Sequence, residues 1–215
     1  MSEPLAITPS SDVAFTAAVK AAQQARGSRQ AYARVEARGG FRTELTPDFV
    51  QFLGGIDTAF LATANADGQP YVQHRGGPKG FVRVLDAHTL GMADFSGNRQ
   101  YITVGNASEN PKAFLFLMDY THRRRIKVWG ELSVVEGDAD LVARLMPEDY
   151  GAIPERALLF KVSAWDMNCP QHIPQKIDAA LVAAALQERE ARIAALEMEV
   201  ARLRGLVGTG DAAGM

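Results

Sequence analysis

From Asp57 onward the apolar spacing changes from helical to alternating, and this change constrains the fold more than any other feature of the sequence. Thr58-Ala59-Phe60-Leu61-Ala62-Thr63 reads as a strand. Asn65-Ala66-Asp67-Gly68 reads as a turn, and Pro70-Tyr71-Val72-Gln73-His74 as the return strand of a hairpin. Short strands then recur over Phe81–Leu85, over Leu90–Phe95 after the turn Asp86-Ala87-His88, and over Ala113–Met118 after Asn110-Pro111. A long alternating strand covers Ile126–Glu136, a short helix Asp138–Met146, and a last strand Ala157–Trp165. Short strands at regular intervals imply an antiparallel sandwich or barrel, here a mainly β fold with added α-helices at both ends.

The flanks are helical. Residues 8–38 carry cap residues in Thr8-Pro9-Ser10-Ser11-Asp12, then Phe15, Ala18, Val19 and Ala22 at helical spacing, with Tyr32 and Val35 on a weaker face. Gly27-Ser28 splits this stretch in two and Gly39-Gly40 stops it. Thr46-Pro47-Asp48 starts a short helix bearing Phe49, Phe52 and Leu53, which Gly54-Gly55 ends. A long helix starts near Ile177. In it Leu186, Ile193, Leu196, Val200, Leu203 and Val207 form an a/d seam, interrupted by Arg189 at a d position and flanked by charges. Such a helix packs on its own barrel or pairs as a coiled coil, and its place as an appendage favours a partner chain. The implied organisation is an N-terminal helical extension over 1–45, a barrel over 46–175, the long helix over 176–207 and a disordered tail over 208–215.

Several function classes drop out. A formal net charge of −2 does not suit nucleic acid as a partner of the whole chain. The single cysteine, Cys169, allows neither an intrachain disulfide nor a zinc site of several thiolates. The histidines at 74, 88, 122 and 172 lack HxH or HExxH spacing, so no metal site is expected. There is no GxGxxG after a strand, no P-loop and no GxSxG. The N-terminus has no secretory pattern and the apolar stretch Ile177–Leu186 is too short to span a bilayer, so a soluble cytoplasmic protein without a membrane partner is expected.

Four stretches carry candidate chemistry. In Asp94-Phe95-Ser96-Gly97-Asn98-Arg99-Gln100, small residues after a strand can turn backbone N–H groups toward a phosphate, and Arg99 adds a charge-assisted contact. A solvated turn with a surface arginine explains the same residues. Gln73 to Arg83 interleaves three glycines with Arg75, Lys79 and Arg83, a stretch that lets a cofactor approach the backbone or simply makes a charged hairpin loop. In His122 to Trp129, alternation puts Arg125, Lys127 and Trp129 on one strand face, facing either a ring edge or solvent. Trp165 to Pro174 holds Trp165, Cys169, Gln171 and His172, with Trp165 either stacking on a ring or filling core.

Taken together and in order, these segments resemble the FMN-binding split barrels of the pyridoxamine 5′-phosphate oxidase-like family. The resemblance covers about Thr46 to His172. It rests on Phe60-Leu61-Ala62-Thr63, Asp67-Gly68-Gln69-Pro70-Tyr71-Val72, Gly97-Asn98-Arg99-Gln100, Glu109-Asn110-Pro111-Lys112-Ala113 and Arg125-Ile126-Lys127-Val128-Trp129-Gly130. It implies that Arg99 matches the arginine of a Ser-Arg-Lys-type phosphate triplet, with Asn98 at the serine and Gln100 at the lysine. Arg83 falls where the family has a lysine on the preceding strand, and Arg125 at a glutamine-bearing position near the flavin. The implied cofactor set is Arg75, Phe81, Val82, Arg83, Asp94 and Ser96, then Asn98, Arg99, Gln100, Arg125, Lys127, Trp165 and Gln171. The implied assembly is a homodimer with FMN at the subunit interface. The insertion Gly76-Gly77-Pro78-Lys79-Gly80 and the missing tryptophan-and-arginine pattern near the C-terminus point to a related subgroup rather than the oxidase itself. The expected activity is flavin redox chemistry on an unknown small molecule. The alternatives are non-enzymatic flavin storage or redox sensing, or haem or deazaflavin on the same barrel, with His172 or His74 as the haem ligand.

Overall fold

A computed structural model of the chain describes residues 8–168 and 170–210, which form two compact units divided between Ile173 and Pro174. The first unit is built on one antiparallel sheet of seven strands: β1 (Thr58–Ala64), β2 (Pro70–Gly76), β3 (Arg83–Asp86), β4 (Thr89–Phe95), β5 (Lys112–Asp119), β6 (Arg124–Val135) and β7 (Pro154–Asn168). Their order across the sheet is β2-β1-β5-β6-β7-β4-β3. Helices α1 (Ala17–Ala25), α2 (Arg29–Glu36) and α3 (Pro47–Gly55) precede the sheet, α4 (Ile102–Glu109) and α5 (Ala139–Leu145) interrupt it, and α6 (Ala179–Gly210) makes up most of the second unit.

Alternation builds the core. In β1, Ala59, Leu61 and Thr63 are buried while their neighbours are half-exposed. Leu61 lies opposite Leu115, Leu115 opposite Val128, and Val128 opposite Trp165, so one row of buried side chains crosses four strands. Each fully buried side chain of this size contributes about 1.5–3 kcal/mol. Phe49, Phe52 and Leu53 of α3 pack into the same core. Phe49 meets Trp165 edge to face at 4.9 Å, and the Trp165 indole N–H donates to the Glu44 carbonyl at 2.8 Å. Where β6 passes β7 the register shifts at Trp129/Gly130, and a Cβ on Gly130 would stand 2.1 Å from the Lys161 carbonyl oxygen.

The sheet curls back on itself. β2 is one edge and β4 lies next to the other, yet the Arg75 guanidinium of β2 forms an ion pair with the Asp94 carboxylate of β4. Among the described residues no backbone ladder joins β2 to β3 or β4. The barrel is therefore split along a seam between β2 and β4, and side chains bridge it.

The N-terminal segment departs from the sequence reading in one respect. The cap of α1 is Thr16, whose Oγ1 accepts from the Val19 N–H at 3.3 Å, while Ser10–Val13 forms a separate 3-10 turn. Tertiary bonds claim the earlier polar run, because the Ser10 N–H donates to the Gly39 carbonyl at 3.0 Å. Gly40, at φ +94°, must be glycine, since a Cβ there would sit 2.5 Å from the Ser11 nitrogen. Aromatic rings then carry the segment onto the outer face of β6: Phe15 meets Phe41 edge to face, and Phe41 stacks on Trp129 at 5.2 Å. At the far end of the chain α6 continues to Gly210, past the Gly208 at which the sequence reading ends it, and 211–215 lie outside the described residues.

Candidate functional site

The seam and the loop that follows β4 form the candidate site. Strand alternation turns Tyr71, Gln73 and Arg75 of β2 toward the seam, and β4 delivers Asp94 and Phe95 at its end. The loop 96–101 then turns sharply. Arg99 and Tyr101 take left-handed φ values of 56° and 55° without being glycine, a conformation that costs about 1–2 kcal/mol per residue. Tyr101 leads into α4, whose N-terminus has no side-chain cap. Unpaired first-turn N–H groups and the helix dipole make such an end attractive to anions. Together these residues line a shallow, solvent-open cleft.

A continuous polar network underlies the cleft. Thr103 Oγ1 of α4 donates to Gln73 Oε1 at 2.8 Å, and the same oxygen accepts from Arg75 Nη2 at 3.0 Å. Arg75 pairs with Asp94, whose other oxygen lies 3.4 Å from Arg156 Nε. Arg156 also reaches Glu136 and Glu155 at 2.6 Å each, and its guanidinium lies 5.0 Å over the Tyr101 ring. A buried hydrogen bond from Asn106 Nδ2 to Thr63 Oγ1, 3.0 Å long, fixes α4 on β1.

The electrostatics separate the three arginines. Burial works against the Arg156 charge, but the hydrogen bond it donates to Glu155 and the fields of Asp94 and Glu136 outweigh it and raise its pKa above the ordinary value. Glu155 is held below the usual carboxylate range, first by its hydrogen bond from Arg156 and then by one from Ser96. Arg99 is different: among the described residues its one ion-pair partner is Glu155 at 3.5 Å, and 67% of its side chain is exposed. An ion pair that open contributes at most about 1 kcal/mol, which leaves the Arg99 guanidinium available to a ligand. Arg75 keeps a buried Nε with no hydrogen-bond partner, an unmet donor beside the cleft.

The structure thus gathers Arg75, Asp94, Ser96, Asn98, Arg99 and Gln100 around one seam and its loop. Phe81 adjoins them along the seam but, like Val82 beside it, is core, 2% exposed. The other sequence candidates lie elsewhere. Arg83 turns to the end of α5, where its Nη2 donates to the Met146 carbonyl at 2.9 Å. Arg125 and Lys127 occupy the outer sheet face, opposite the buried Ile126 and Val128, and Lys127 pairs with Asp166 at 2.9 Å beneath Phe41. Trp165 is core, 1% exposed, and Gln171 is exposed in the turn after β7. Cys169 lies outside the described residues.

The basic run at 122–125 spans the end of the β5–β6 turn and the first two residues of β6. Asp119 accepts from the His122 backbone N–H at 2.9 Å and pairs with Arg124 at 2.9 Å. Burial opposes ionisation of Asp119. The backbone N–H of His122, the Arg124 guanidinium and the His122 ring outweigh it and hold the carboxyl below its ordinary value.

Sequence reasoning missed Tyr101, Thr103, Glu155 and Arg156 as neighbours of the site. A signal existed for Arg156, which falls in phase with the buried Leu158, Phe160 and Val162 and so brings a charge to an inward-facing position. Among the described residues no cluster of three or more His, Cys, Asp or Glu could hold a metal ion. No described helix is long and apolar enough to cross a membrane.

Comparison with known proteins follows the same segment of chain. No curated protein matches the sequence. Among solved structures, HupZ of Group A Streptococcus is 16% identical, aligns over 61% of this chain and 98% of its own, and has a TM-score of 0.47. An FMN-binding protein of Syntrophomonas wolfei subsp. wolfei is 12% identical over 68% of this chain and 97% of its own, with a TM-score of 0.45. The FAD-binding protein of Mycobacterium smegmatis is 15% identical over 59% and 97%, with a TM-score of 0.41. The sequence model of the pyridoxamine 5′-phosphate oxidase family matches residues 45–169, the strands, the loop 96–101 and α4 included. With more than half of its 215 residues matched in this way, the chain belongs to the pyridoxamine 5′-phosphate oxidase family.

Proposed function

We propose that the cleft at the β2/β4 seam binds FMN and that the protein works as a homodimeric flavoprotein, an oxidoreductase acting on a small molecule. The observation that carries this reading is the convergence of Arg99, Arg75 and the uncapped start of α4 on one cleft. A phosphate dianion needs several donors and positive charge at one place, and this cleft supplies both. Arg99 provides a loosely held guanidinium, and Arg75 an unmet Nε anchored by Asp94. The left-handed residues at 99 and 101 set the loop in the tight turn that brings its backbone around such a group. Farther along the seam, the half-buried Phe95 offers an apolar edge to a planar ring.

When bound, the flavin supplies hydride and electron transfer; this chain supplies the anchor, the orientation and the field around it. The net charge near the phosphate loop is tuned rather than merely positive, because Glu155 and Asp94 restrain Arg156 and Arg75 in place. The dimer is supported by the outer sheet face, where Phe60 lies opposite both His74 and Phe116, and Val72 beside them is 58% exposed. A second copy of the same face would cover it.

An absorption spectrum of the purified protein mixed with FMN tests the proposal, with an altered flavin band and saturable binding as the expected result. Arg99→Ala should weaken FMN by about 1.5–3 kcal/mol, roughly 10- to 150-fold in Kd. Affinity unchanged in that variant would remove Arg99 from the site. Anaerobic bleaching of the bound flavin by reduced nicotinamide separates an oxidoreductase from a flavin carrier.

A further inference from the structure

The second unit carries a surface that the flavin reading does not use. In α6, Leu186, Ile193, Leu196, Val200 and Leu203 are 55%, 55%, 47%, 44% and 47% exposed. They follow each other at steps of seven, three, four and three along a continuous helix, so they form one stripe. Set in heptads with Ile193 at a, the a positions are Leu186, Ile193, Val200 and Val207, and the d positions are Arg189, Leu196 and Leu203. Three of the four a residues are β-branched and two of the three d residues are leucine. Parallel two-stranded coiled coils select that combination, because a β-branched knob suits the a hole and leucine the d hole of a dimer.

The flanking charges identify the partner. In a parallel pair of identical helices, each g residue faces the e residue of the next heptad on the other chain. Here those pairs are Arg192 with Glu197 and Glu199 with Arg204, both of opposite sign. Glu199 also holds Arg202 on its own helix at 2.7 Å, and a carboxylate can accept from both. We propose that α6 pairs in parallel with α6 of a second copy of this chain, as a two-stranded coiled coil over residues 186–207. Arg189 stands at the N-terminal end of the seam, where a cation at d disfavours tighter packing and higher oligomers. This assembly is independent of flavin and of the outer sheet face.

Cysteine cross-linking of the full chain, in a Cys169→Ser background, tests the pairing. Leu203→Cys puts the thiol in the seam near its C-terminal end, and Met198→Cys puts it at f, on the far side of the helix. Under mild oxidation the Leu203→Cys chains should link to each other at least about tenfold faster than the Met198→Cys chains, because the seam holds the two thiols at high effective concentration. Because Leu203→Cys weakens the seam, a charge exchange provides the second measurement. Glu197→Arg added to Leu203→Cys should slow linking, and Arg192→Glu added to that variant should restore it. Dimerisation through the barrel alone would leave positions 198 and 203 equally reactive and the charge exchange silent, which overturns the proposal. Preferential linking of Arg189→Cys chains to Leu203→Cys chains in a mixture would show antiparallel helices and overturn it as well.

Discussion

Asp94→Ala tests whether the seam is held by charge. Asp94, Arg75 and Arg156 have side chains only 11%, 13% and 9% exposed, so their interactions are largely shielded from water. Without the carboxylate, Arg156 keeps Glu136 and Glu155, both at 2.6 Å. Arg75 is left with Gln73 at 3.0 Å, a neutral acceptor, so the loss falls mainly on Arg75. Removing one partner of a buried pair costs about 3–5 kcal/mol, and residual solvent access at these side chains argues for the lower end, about 3 kcal/mol. With a urea slope of about 2 kcal/mol per molar, the unfolding midpoint should fall by about 1.5 M. Replacing both partners, as Arg75→Met with Asp94→Ala, should recover at least about 1 kcal/mol relative to the sum of the two single variants. Excess FMN should raise the midpoint of Asp94→Ala more than that of the parent, since a phosphate gives Arg75 a new anion. A midpoint shift under about 0.5 M, roughly 1 kcal/mol, would put the pair in the class of exposed surface bridges and refute the argument.

Gly130→Ala should be among the most damaging single substitutions, above about 4 kcal/mol, because its Cβ would meet the Lys161 backbone carbonyl at 2.1 Å and a backbone atom cannot swing aside. Soluble yield and thermal midpoint measure it, and a near-parental midpoint would contradict the bulge geometry. Asp119 should stabilise the fold at neutral pH and less in acid. Its folded pKa lies below the ordinary 3.8, so the stabilisation is complete above that value and disappears as pH falls through the lowered one. Asp119→Asn should therefore lose stability at pH 7 and show a flatter acid limb of urea midpoint against pH; parallel curves for the two proteins would remove the Asp119 cluster from the acid response.

What the sequence reveals of this fold is what local chemistry determines. The β1–β2 hairpin is legible because Asn65 and Gly68 make the turn themselves: the Gly68 N–H donates to the Asn65 carbonyl at 3.0 Å, and Gly68 sits at φ +84°. The cap of α5 is legible in the same way, as Asp138 Oδ1 accepts from the Leu141 N–H at 2.9 Å. Tyr101–Asn106 reads equally well as helix or loop, and the reason is now visible, since α4 starts from a left-handed tyrosine with no capping side chain. The loop 94–100 could be picked out because its residues are neighbours in sequence. Glu155 and Arg156 arrive from a strand about sixty residues later, through the pairing of β7 with β4, and no local pattern links them to Asp94. Arg125, Lys127 and Trp165 illustrate another limit. Alternation sorts side chains into two faces, but only the curl of the sheet decides that the Trp165 face becomes interior while the Arg125 face meets the N-terminal rings.

A cylinder stitched shut by backbone bonds can admit a guest through its wall only by melting a strand. Here the closing stitch between Arg75 and Asp94 is made of side-chain tips, while β2 stays zipped to β1 along seven residue pairs. Parting the two tips swings a rim aside and leaves every ladder intact. Opening at this place would break no ladder hydrogen bond, so amide protons of β1 and β2 should stay protected on the timescale of global unfolding even when the two tips part.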